Sequence, residues 1–167
     1  LAAPELFAAA RIDTWMFGPL KDFLDEIVPH ETAAQAPGVP PLRLAAAVLL
    51  MEVMRASDGI SPSERAAAAA ALVEHFGLSP EEMAPLLNQA ERESIAAYDY
   101  FRFTNPLDEQ LPQERKIALV DAMWKVAYAD GHVDPRENAV ISQVADLLHV
   151  SHGDYIAGKL RAKPGGA

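Results

Sequence analysis

Apolar residues recur at helical spacing through most of this chain, and no alternating run predicts a strand. Phe17, Leu20, Phe23, Leu24, Ile27 and Val28 share one face of a first amphipathic helix, with Asp22, Asp25 and Glu26 off it. Leu42 to Ala56 is apolar on most sides, as suits a central helix. Ser61-Pro62-Ser63-Glu64 then reads as a capping box with proline at the first helical position. The helix it opens runs through an alanine block to Phe76 and stops at Gly77. Ser79-Pro80-Glu81-Glu82 repeats the capping pattern, and a helix carries Met83, Leu86, Leu87 and Ala90 toward Tyr98. Tyr100, Phe101 and Phe103 predict an aromatic plug, and Pro106 to Leu111 a loop. Pro112 begins the next helix, whose inward stripe is Ile117, Val120, Met123, Trp124 and Ala127. Val140, Ile141, Val144, Leu147 and Leu148 form another stripe, and Ser151 caps a last helix with Tyr155, Ile156 and Leu160. The predicted fold is all-α, a compact bundle of about six to eight helices.

A repeat orders these elements. Ala127-Tyr128-Ala129-Asp130-Gly131-His132-Val133-Asp134-Pro135-Arg136-Glu137 closes one helix and opens the next. An offset of 73 positions links Ala56 to Ala129, Ile60 to Val133, Pro62 to Pro135 and Glu64 to Glu137. Two helix-turn-helix units of one pattern are therefore expected. The chain divides into an N-terminal helical segment (1–28), a proline-rich linker (29–41), a helical domain (42–163) and a fraying tail (164–167). Residues 1–15, ahead of Met16, are expected to be dispensable.

Composition narrows the function. The formal net charge of -10 repels phosphate backbones and anionic membranes, so nucleic acid is not an expected partner. The chain contains no cysteine, which removes disulfides, thiolate metal sites and a cysteine nucleophile. No apolar run approaches a membrane span, and Leu1 to Arg11 lacks a signal-peptide pattern. A cytoplasmic protein follows as the expectation, with any membrane contact made peripherally through a partner.

The acidic turn carries the candidate chemistry. Asp130 to Glu137 resembles the second half of an EF-hand loop, with Gly131, Val133 and Glu137 in place. The first half fails, because Val126 and Tyr128 stand where carboxylates are needed. Helix capping accounts for most of the same residues: Asp134 as N-cap, Pro135 as first helical residue, Glu137 as capping-box carboxylate and Gly131 as the stop. The competing use is a weak divalent-cation site of Asp130, Asp134 and Glu137, with His132 as a further candidate ligand. Hard cations such as Ca²⁺ or Mg²⁺ suit these oxygens, whereas zinc would have to recruit His132. The histidines form no ligand set, and His149 and His152 flank a helix end. No phosphate loop, nucleophile elbow or HExxH motif is present, so no enzymatic activity is expected. The alternative is a small metal-dependent enzyme using the Asp130, Asp134 and Glu137 turn.

The paired Ala-Asp-Gly-x-[Ile/Val]-x-Pro-x-Glu pattern resembles the tellurite-resistance TerB-like family, which includes the N-terminal domain of DjlA-type membrane co-chaperones. Ala56 to Glu64 and Ala129 to Glu137 carry the likeness, and it extends over about Leu42 to Arg161. Tyr100 to Thr104 and Ala122 to Tyr128 resemble a bacterial branch of that family. The first copy departs from the pattern, with Ser57 at the Asp position and Asp58 at the Gly position. The resemblance implies an all-helical fold and a stress-linked role as an interaction or scaffold module with a protein partner. It also implies metal sensing, with Asp130, Asp134, Glu137 and Glu64 as the acidic positions.

Overall fold

The computed structural model describes residues 40–96 and 99–165. Seven helices and no strand occur among them: α1 (Leu42–Ala56), α2 (Pro62–Phe76), α3 (Pro80–Ala96), α4 (Phe101–Gln110), α5 (Gln113–Ala127), α6 (Pro135–Leu147) and α7 (His152–Ala162). The expected helices before Pro29, most of the linker, Tyr98 and the last two residues lie outside the described residues.

Helix α1 is the axis of the bundle. Its apolar residues occupy every side of the helix, and all of them from Ala45 to Met51 are buried. Such a helix reaches solvent only at Arg43 and around Glu52, Arg55 and Ala56, so other helices must cover the rest. Helices α2, α3, α4, α5 and α6 all pack against it. Helix α5 is a second centre, in contact with α1, α2, α6 and α7. Trp124 is fully buried there, and its indole Nε1 donates to the Tyr155 carbonyl of α7 at 3.2 Å. The two rings lie with centroids 5.2 Å apart, and the Lys159 ammonium sits 5.2 Å from the Trp124 ring centroid. Gly158 permits this approach, because a Cβ there would collide with the Asp121 carboxylate and meet Trp124 Cδ1 at 3.3 Å.

Local chemistry sets the helix ends. Gly77 adopts a left-handed φ of 61° and closes α2 by donating to the Val73 carbonyl at 2.9 Å. Ser79 and Glu82 exchange reciprocal bonds at the start of α3. Ser151 accepts from the Asp154 N–H at 3.1 Å and caps α7. His149 ends the connection after α6 with a φ of 56°, and its Nδ1 lies 3.1 Å from Asp108. Capping and surface pairing thus occupy His149.

One predicted loop is corrected. Pro106 to Gln110 continues helix α4, and only Leu111 leaves it. Proline removes a single bond there, the one that would reach the Arg102 carbonyl. Burial of Phe103, Pro106 and Leu107 on one face offsets that loss. The aromatic plug is also smaller than predicted. Phe103 enters the core, Tyr100 is half-buried and Phe101 stays 55% exposed. On α7, Tyr155 is buried while Ile156 and Leu160 face outward. No helix among the described residues is long and apolar enough to cross a membrane.

Candidate functional site

Two turns meet beside the bundle axis. The first joins α1 to α2, and the second joins α5 to α6. Each must stop one helix and start another within a few residues, and each does so with a reciprocal capping box. In the first, Ser61 Oγ accepts from the Glu64 N–H at 3.1 Å, while Glu64 Oε2 accepts from the Ser61 N–H at 2.9 Å. In the second, Glu137 Oε2 accepts from the Asp134 N–H at 2.8 Å. The Asp134 carboxylate accepts from the Arg136 N–H at 2.8 Å. Pro62 and Pro135 sit at the first helical positions, where the missing N–H costs nothing.

Capping pulls both glutamates inward. Glu64 is 1% exposed and Glu137 2% exposed, which is rare for carboxylates. Glu137 Oε1 is buried with no hydrogen-bond partner. Desolvation therefore pushes the Glu137 carboxyl up to about 7, against the lowering effect of the Asp134 N–H bond. The charges of Glu64, Asp130 and Asp134 push it the same way, so these carboxylates share one field.

The other acids do different work. Asp134 is held below its ordinary value by its side-chain and backbone bonds to Arg136. Arg136 reaches Asp134 through Nε at 3.1 Å and Nη2 at 3.0 Å, and the same Nη2 crosses to Asp58 of the first turn at 2.9 Å. Asp130 lies on the exposed rim, where its Oδ1 accepts from the His132 N–H at 3.3 Å. Gly131, with a φ of 99°, supplies the left-handed residue that the turn requires. His132 is exposed, and its Nδ1 lies 3.8 Å from Asp130.

The four sequence-derived site residues thus fall into two kinds. Glu64 and Glu137 are buried on different helices and the charge of one acts on the other, whereas Asp134 is occupied by capping and Arg136, and Asp130 stands at the edge. No group of three or more His, Cys, Asp or Glu side chains is arranged to hold a metal among the described residues. Sequence reasoning missed the tie from Arg136 to Asp58. One signal was present: a cation in the first turn of α6 opposes the helix dipole and needs an acidic partner.

A metal of the kind the resemblance implies can be set against these donors. One buried, unpartnered carboxylate oxygen in the field of a second buried carboxylate is a partial donor set for a hard cation, short of the roughly six to eight oxygens that calcium takes. Cysteine is absent and His132 points to solvent, so the set does not fit structural zinc.

No curated protein and no solved structure gives a significant match to the chain. The family model described as Tellurite resistance protein TerB matches residues 43–160, well over half of the sequence and all of both turns. Together with the all-helical architecture, that match shows that the chain belongs to the TerB family.

Proposed function

We propose that this chain is a non-catalytic TerB interaction module of the cytoplasm, with a protein partner, whose paired turns weakly sense a hard divalent cation. The supporting observation is Glu137 Oε1, a buried carboxylate oxygen without a partner, in the field of a second buried carboxylate, Glu64. An unsatisfied buried acceptor is costly, and either a proton or a cation relieves the cost. Glu64 and Glu137 would hold the ion, and Asp130 would add negative potential at the rim. The bound cation would supply positive charge that screens the two glutamates from each other. Arg136 opposes tight binding, because it already neutralises Asp134 and Asp58. Millimolar affinity follows, in the range of the weakest oxygen-ligand sites. A link to tellurite resistance rests on family membership.

Calorimetric titration of Ca²⁺, Mg²⁺ and Zn²⁺ into the wild type, Glu64→Gln, Glu137→Gln and Asp130→Ala tests this reading. Expected is millimolar binding of Ca²⁺ or Mg²⁺, lost in both glutamine variants and weakened in Asp130→Ala. Absence of heat with every ion would leave the glutamates as helix caps alone. Binding abolished by Asp130→Ala but retained in Glu64→Gln would place the ion in the second turn by itself.

A further inference from the structure

Arg136 also lines a cleft that contains none of the four acidic site residues. The end of α1 supplies Glu52, Arg55 and Ala56, α3 supplies Ser94 and Ile95, Tyr100 precedes α4, and α6 supplies Arg136 and Val140. These residues border an open depression of about 360 Å³. Small-molecule sites occupy roughly 300–1,000 Å³ and combine apolar lining with a few convergent polar groups.

The charges in this cleft are arranged unevenly. Among the described lining residues the carboxylate is Glu52, and it is already engaged: the Ser94 hydroxyl donates to it, and Arg55 Nη1 lies 3.5 Å away. The Tyr100 hydroxyl also bonds to Glu52, and burial raises its pKa, so it remains a neutral donor. Arg55 Nη1 donates to Ser94 Oγ at 2.9 Å, and Ser94 is almost fully buried. This network sets the position of Arg55. Arg136 is placed by Asp134 and Asp58, at 3.0 and 2.9 Å. Each guanidinium carries five N–H donors, more than these contacts use. Two guanidinium groups therefore line one cleft in a chain of net charge -10. The two-point pair with Asp134 holds the Arg136 guanidinium in place, whereas the pair with Asp58 is solvent-exposed and weakly held, so a ligand can exchange for Asp58.

We propose that this cleft binds a small organic anion, an oxyanion headgroup between Arg55 and Arg136 with a short apolar body against Ala56, Ile95 and Val140. Planar guanidinium forks match carboxylate and phosphate oxygens alike. Asp58 competes with the headgroup for Arg136, which ties occupancy of the cleft to the first acidic turn.

The test is a heteronuclear NMR titration of the full chain with sodium butyrate, butyl phosphate and inorganic phosphate, at ionic strength held constant with sodium chloride. Expected are saturable shifts of the Arg55, Ser94, Ile95 and Val140 amides and of Arg136 Nε with butyrate or butyl phosphate. Arg136→Gln should weaken binding about tenfold, the scale of one lost charge-assisted contact. Ile95→Asp should weaken it by placing a carboxylate at the mouth, and Asp58→Asn should strengthen it by removing the competitor. All three side chains are exposed, and amide dispersion checks that each variant folds. Saturation by butyrate alone marks a carboxylate ligand, and by butyl phosphate alone a phosphate ligand. The proposal is overturned if no probe saturates, if Arg136→Gln and Ile95→Asp leave the affinity unchanged, or if inorganic phosphate binds as tightly as butyl phosphate.

Discussion

The turns into α2 and α6 use the same capping chemistry, yet they leave their glutamates in different states. Ser61 caps the first with a neutral hydroxyl, and its Oγ also contacts Ser63 Oγ at 3.0 Å. Asp134 caps the second with a charge, which draws Arg136 across the surface to Asp58. Glu64 and Glu137 each spend one oxygen on an N-cap N–H, but Glu137 is the one left with a buried, unpartnered Oε1. The comparison shows that a cap can be complete as a helix stop and still be electrostatically unfinished. The unfinished turn is where a proton or a cation would have an effect.

The helices ahead of the two turns differ as well, and this carries the largest expected effect. Met51 and Trp124 stand at matching positions in the 73-residue offset, and both are fully buried. Met51 belongs to the axis that five helices cover, whereas Trp124 holds α7 through Tyr155, Lys159 and the gap at Gly158. Trp124→Ala is expected to cost about 3–5 kcal/mol in urea denaturation, the usual range for a large aromatic removed from a core. It should also lower hydrogen-exchange protection in α7 more than in α2. Equal loss in both helices would erase this part of the comparison.

The second effect is pH-dependent. The Glu137 carboxyl rises from an ordinary value of 4.5 to about 7 on folding. Between those values the folded chain holds a proton that the unfolded chain releases. This contribution to stability is therefore fully present below pH 4.5 and is lost as pH rises to 7, by on the order of 3 kcal/mol. Glu137→Gln keeps the capping geometry without the charge. It should be more stable than wild type at pH 8 and should lack this component of the pH dependence. Glu64→Gln should keep the fall but narrow its window, because one repelling charge is gone. Denaturant midpoints at pH 5 and pH 8 check both variants. An unchanged pH dependence in Glu137→Gln would mean that the two glutamates are equivalent after all.

The smallest effect belongs to the neutral cap. Ser61→Ala is expected to cost roughly 1 kcal/mol, as N-cap truncations do, with the same cost at pH 5 and pH 8. A cost that grew with pH would show that the first turn shares the charge problem of the second.

Much of this molecule was legible along the chain. Helix propagation, capping and termination depend on neighbours within about four residues. For that reason Ser61, Gly77, Ser79, Asp134 and Ser151 could be read as helix boundaries, and the central role of α1 followed from its lack of a polar face. The continuation of α4 past Pro106 was not legible, because local propensity opposes it and burial against the bundle overrides that propensity. Nor could sequence distinguish the buried Phe103 from the exposed Phe101, which differ only in the face they occupy. Tertiary structure alone decided how the acids divide. Desolvation and Coulomb fields depend on distance through space, and only folding sets the Glu64 field on Glu137 or the reach of Arg136 to Asp58. The sequence by itself determined which carboxylates cap helices; the packing of α1, α2, α5 and α6 decided that one of them keeps a buried oxygen without a partner.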